Sequence, residues 1–92
     1  MHSVAQDWPD TAMDKSLYSD DNRVLLALLR NHRQRRRLRQ VDLANLIGRD
    51  QALVSKVESG DRRLDLVELR AWLRAMDIDF MAFMNEFDAL AK

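Results

Sequence analysis

The chain has 92 residues, no cysteine, two glycines, one proline and a formal charge that sums to zero. A length of this order makes one domain with a modest core, and the missing cysteines exclude disulfides and thiolate metal sites. No apolar run approaches the roughly 18 residues of a membrane span, and the first residues lack the basic-then-apolar order of a signal peptide.

The zero hides a segregation of charge. Residues 1–22 carry five Asp against one Lys, residues 23–63 carry ten Arg and one Lys against three Asp and one Glu (a balance of +7), and residues 64–92 return to −3. A basic block in mid-chain is a better pointer to a polyanionic partner than the total. So few glycines and prolines among many Leu, Ala and Arg favour an all-α chain.

In chain order, residues 1–20 read as a mobile acidic N-terminal arm, with Pro9, scattered Asp and no sustained helical period. Trp8, Met13, Leu17 and Tyr18 are its apolar exceptions, either incidental or packing on the arm's own or a partner subunit. Residues 21–92 then form the folded domain. A first helix starts near Asp20 or Asp21, whose carboxylates suit a helix N-terminus, and runs to about Arg36. Its core stripe is Leu25, Leu26, Leu28 and Leu29, with His32 at the edge. The run from Arg33 to Arg39, RQRRRLR, has two readings: a solvated helix end, or a phosphate-facing clamp using at least one of Arg36, Arg37 and Arg39.

Gln40 to Gly60 reads as two short helices joined by a tight turn. Leu43, Ala44 and Ile47 share one helical face. Gly48 supplies the left-handed residue that ends the first helix, and Asp50 is placed to cap the second. There Val54 and Val57 face inward, leaving Gln51, Ala52, Ser55 and Lys56 outside. Those four offer amide, methyl, hydroxyl and amine, which suit base edges in a DNA major groove.

The segment resembles the phage-repressor family of helix-turn-helix proteins, the lambda-repressor-like, Cro and XRE group. Gln40, Ala44, Gly48, Gln51 and the string Val54-Ser55-Lys56-Val57-Glu58-x-Gly60 carry the likeness, with Arg30, Arg33 and Leu38 upstream. The resemblance implies a compact five-helix lambda-repressor-like DNA-binding domain over roughly Asp21 to Phe87. It implies an Arg33–Glu58 ion pair tying the first helix to the reading helix. Positioning on phosphates falls to Arg39, Gln40, Arg49, Arg62 and Arg63, and base reading to Gln51, Ala52, Ser55 and Lys56. Arg37 and Asp77 stand where the family usually has glycine.

Beyond Gly60, Asp65 and Glu68 form a capping box for a fourth helix, whose stripe is Leu66, Leu69, Trp72, Leu73 and Met76. Trp72 belongs to the core or an interface. Asp79 caps a last helix, Phe80 to about Leu90. Phe80, Phe83, Met84, Phe87 and Leu90 exceed what so small a domain must cover, which points to a homodimer interface.

His2 and His32 have no metal-ligand spacing around them, and no Gly-rich phosphate loop, nucleophile elbow or HExxH run is present. The expectation is therefore no enzyme, no metal and no cofactor. The leading reading is a cytoplasmic, sequence-specific transcriptional regulator, most simply a repressor, that binds double-stranded DNA at an inverted-repeat operator as a homodimer. Within that class stand a restriction-modification controller and an antitoxin whose arm wraps a toxin. An arm that competes with DNA for the basic face is a further idea. From another class comes a protein-interaction adaptor in which the helix-turn-helix only scaffolds.

Overall fold

In the computed structural model residues 20–91 are described, so the expectations for residues 1–19 lie outside them. Five helices follow one another: α1 (Asp20–Arg35), α2 (Gln40–Ile47), α3 (Gln51–Ser59), α4 (Leu66–Ala75) and α5 (Phe80–Leu90). The described residues form no strand. In α1 the first turn carries Asp20 and Asp21 and the last carries His32, Arg33 and Arg35. Each set of charges opposes the pole of the helix dipole beside it.

The first four helices end in the same way. A residue just past the helix, the first for α2 and α3 and the second for α1 and α4, turns left-handed, and its own amide and the next bond back into the last turn. Gly48 (φ 70°) and Gly60 (φ 88°) do this for α2 and α3, where glycine has no Cβ to obstruct it. Arg37 (φ 57°) and Asp77 (φ 58°) do it for α1 and α4. Their closures are as complete as those of the glycines: Leu38 N bonds Arg33 O at 3.2 Å, and Ile78 N bonds Leu73 O at 2.9 Å. The absence of glycine has therefore not moved the helix end; it has left two side chains in a region that disfavours them.

The start signals divide. Asp65 accepts from Glu68 N while the Glu68 carboxylate accepts from Asp65 N, completing the expected capping box. Asp79 caps α5 through Ala82 N. Asp50 occupies the N-cap position of α3 with extended backbone, but its carboxylate makes no capping bond and stays in solvent. That expectation is corrected: position alone does not aim the side chain at the amides.

The core is Leu28 and Leu29 of α1, Leu43 and Ala44 of α2, Val54 and Val57 of α3, Leu69, Trp72 and Leu73 of α4, then Met76 and Phe83. Ala44 is fully covered, as close packing of α2 on α3 requires. Truncating the buried Leu43 to alanine should cost about 2–5 kcal/mol. Leu66 was expected in the α4 stripe but, as the first residue of the helix, is 65% exposed.

Helix α5 packs on α1 and α4. Of its five apolar candidates for an interface, Phe83 is 1% exposed and lies in the core. Phe80, Met84 and Phe87 are half-buried against that core, and Leu90 is exposed along with Met81. His32, its ring tilted against that of Phe83, bonds the Glu86 carboxylate at 2.8 Å. Arg36 donates to the Met76 carbonyl at 2.6 Å and to His32 Nδ1 at 3.1 Å. Arg36 is thus occupied in closing the end of α4.

Candidate nucleic-acid interface

Helix α3 is tied to α1 by charge. Arg33 Nε donates to Glu58 Oε2 at 2.6 Å and Nη2 to Oε1 at 2.9 Å, both residues being buried. The remaining Arg33 amine donates to Leu38 O, and Arg30 donates to the Glu58 carbonyl at 3.3 Å. Burial alone would raise the Glu58 carboxyl; hydrogen bonds from Arg33 and Gln40, with the charges of Arg33 and Arg30, outweigh it and hold it below its ordinary value. The expected Arg33–Glu58 pair is present, and it is bidentate.

From that pair a hydrogen-bonded chain runs outward. Gln40, the first residue of α2, donates to Glu58 Oε1 at 3.1 Å, and its amide oxygen accepts from Gln51 Nε2 at 3.4 Å. Gln51 opens α3 and is exposed. With one amide hydrogen given to Gln40, Gln51 keeps one donor and one carbonyl for an outside partner. That is the pattern adenine requires at N7 and N6. Ala52, Ser55 and Lys56 are also exposed, on the same helical face as Gln51, whereas Val54 and Val57 are buried.

The five residues expected to meet phosphates are placed less uniformly. Arg39 is exposed but bonded to Asp42, three residues on, through Nε at 3.0 Å and Nη2 at 2.9 Å. Asp42 also accepts the Arg39 backbone amide at 2.7 Å. The side-chain bond from Arg39 lowers the Asp42 carboxyl to about 2. Arg62 makes a two-pronged pair with Glu68 at 2.9 and 2.8 Å, and Arg49 approaches the same carboxylate at 4.0 Å. The Arg62 bond, followed by the Asp65 amide, lowers Glu68 to about 2. Gln40 is half-buried, facing inward to Glu58. Arg63 is exposed and makes no side-chain bond among the described residues.

A helix-turn-helix domain model matches residues 24–79, more than half of the chain. The chain belongs to the helix-turn-helix domain family. No curated protein matches it significantly. The helix-turn-helix itself is α2 and α3, and the family match ends at Asp79, so α5 lies outside it. Membership marks a DNA-binding regulator.

Sequence reasoning missed the acids. Asp42 stands three residues after Arg39, the spacing of a capping box, and that signal was legible. Glu68 was recognised as a cap, but its pairing with Arg62 and Arg49 spans a loop and leaves no periodic trace.

Proposed function

We propose that this chain is a sequence-specific transcriptional regulator of the cytoplasm, most simply a repressor, that binds an inverted-repeat operator as a homodimer. No catalytic, metal-dependent or cofactor-dependent step belongs to this reading. The observation that carries it is the line Arg33–Glu58–Gln40–Gln51, which connects a buried ion pair to an exposed amide at the start of α3. Such a line pre-orders a base-reading group before DNA arrives, so less conformational freedom is lost on binding. Dimerisation would use α5, where Met81 and Leu90 are exposed beside the half-buried Phe80, Met84 and Phe87. The two half-sites would then lie about one helical turn, roughly 34 Å, apart.

Selection of bound duplexes from a random pool, followed by anisotropy titration of the winner at two salt concentrations, tests the function. A palindromic consensus with salt-dependent affinity supports it; no enrichment and no salt dependence overturns it. Light scattering tests the dimer, and a one-chain mass at micromolar concentration would remove it. Genomic neighbours separate a stand-alone repressor from a restriction-modification controller or an antitoxin.

One observation favours a second reading, a scaffold for protein interaction. Arg39 and Arg62 spend their guanidinium groups on Asp42 and Glu68, which leaves fewer free cations for phosphates. In that case random duplex would bind weakly and the salt slope would be near zero.

A further inference from the structure

Asp50, at the start of α3, is absorbed neither as a cap nor among the base-reading residues. Three acids lie between Gln40 and Gly60, and two of them are spent: Asp42 on Arg39 and Glu58 on Arg33. The Asp50 carboxylate makes no capping bond, and no ion pair or hydrogen bond engages it among the described residues. The residue is exposed, and Arg49 beside it approaches Glu68 instead, at 4.0 Å. Its backbone still does the work of an N-cap: extended at φ −76° and ψ 154°, it accepts from Leu53 N through its carbonyl. The side chain is therefore an unengaged acceptor at the leading end of α3, next in sequence to Gln51.

A carboxylate in that place opposes DNA binding in general, because phosphates and the acceptor edges of guanine and thymine all repel it. One base edge rewards it. Cytosine presents its N4 amino group to the major groove as a donor without an acceptor of its own beside it, and an aspartate accepts from that group. Adenine also offers a donor, but next to its N7 acceptor, a pair that suits the amide of Gln51. We propose that Asp50 is a specificity-determining residue that selects a cytosine in the base pair next to the one Gln51 reads. It works in both directions, by a hydrogen bond to the right base and by repulsion from the wrong ones. This rests on the reading of α3 as the helix that contacts bases.

Duplexes selected from a random pool by the full chain, by Asp50→Asn and by Asp50→Ala test the proposal. The parent's half-site should hold a fixed cytosine beside the position that Gln51→Ala relaxes. Asp50→Ala should lose that preference, and Asp50→Asn should exchange it for adenine, the base an amide pairs with. In anisotropy titrations Asp50→Ala should bind the parent's operator more weakly and random duplex more tightly, narrowing the ratio of the two affinities roughly five- to hundredfold. Replacing the cytosine by pyrimidin-2-one, which lacks the amino group, should weaken the parent and leave Asp50→Ala indifferent. Asp50→Ala should lower the melting temperature less than Asp79→Ala, whose capping bond is made. A parent consensus without that cytosine, one consensus shared by all three proteins, or indifference of the parent to the missing amino group would each overturn the proposal. A parent that selects nothing, or a Gln51→Ala that relaxes no position, removes the reading of α3 and this proposal with it.

Discussion

Gln51 donates its side-chain amide to Gln40 across the turn, and Gln40 donates in turn to the buried Glu58. The residue best suited to read a base is thereby oriented by the first residue of the preceding helix. Gln51→Ala should cost roughly 1–3 kcal/mol at the selected operator and relax preference at one base pair per half-site. Gln40→Ala keeps the reading group but frees its rotamer, so it should weaken binding while leaving the preferred base unchanged. Titration against a panel of single-base operator variants distinguishes the two. Equal behaviour of Gln51→Ala and the parent on every variant would rule out α3 as the reader.

Beneath that line, Arg33 and Glu58 are both buried, so neither charge has water to fall back on if its partner is removed. Arg33→Ala should cost about 3–5 kcal/mol. That is a large share of the 5–15 kcal/mol that holds a typical domain together. Arg33→Lys keeps the charge but gives up the two-pronged geometry and should fall between. Urea denaturation of the three proteins gives the order directly, and an unchanged midpoint for Arg33→Ala would contradict the pair's structural role.

Which parts of this were legible in the sequence has a physical pattern. Gly48 announced a helix end because only glycine enters positive φ freely, and it does. Asp65 and Glu68 announced a helix start because a capping box is a local exchange of two bonds. Depth was not legible: the spacing that placed Phe83 and Leu90 on one helix gave no sign that one is core and the other exposed. Non-local pairing was not legible either, apart from the Arg33–Glu58 pair that the family resemblance implied. Arg36, one of three arginines among which a phosphate clamp was sought, meets the Met76 carbonyl, forty residues away.

The two helix ends without glycine are places where the chain is less stable than its fold permits. A non-glycine residue in the left-handed region costs roughly 1–2 kcal/mol, partly offset by glycine's greater freedom when unfolded. Arg37→Gly should therefore raise stability by about 0.5–1 kcal/mol, and Asp77→Gly by less, because aspartate tolerates this region better than arginine. Gly60→Ala should do the reverse even though its new Cβ would lie an ordinary 3.6 Å from Leu26, since the backbone angle is the obstacle. Urea midpoints measure all three, and a destabilised Arg37→Gly would show that the Arg37 side chain earns its strained backbone.

Acid should weaken the domain through three carboxylates. Glu58 is held below its ordinary value, and Glu68 and Asp42 are each lowered to about 2. The unfolded chain, where these groups titrate near 4.5 for Glu and 3.8 for Asp, binds their protons more readily than the folded one. Their stabilisation is thus complete above about pH 4.5 and is lost as pH falls from there toward 2. The urea midpoint should be insensitive to these groups near neutrality and should fall below that point. Glu68→Gln should make the fall shallower. A midpoint that held constant between pH 4.5 and pH 2.5 would mean these pairs are absent in solution.

Arg62 and Arg63 are adjacent in the loop that leaves α3, and the structure separates their roles. Arg62 is committed to both oxygens of Glu68, one of which also accepts the Asp65 amide at the start of α4, while Arg63 is exposed with its guanidinium unpaired among the described residues. A phosphate must displace a carboxylate to reach Arg62 but only water to reach Arg63. Arg63→Ala should accordingly weaken binding to all sequences alike and flatten the salt slope by about one unit. Arg62→Ala should change the salt slope less and lower thermal stability, because it unlocks the start of α4. Affinity measured over a fourfold range of salt, beside a thermal melt of each variant, separates the cases. The opposite ranking would mean that DNA strips Arg62 from Glu68 on binding, making that ion pair a latch in the free protein.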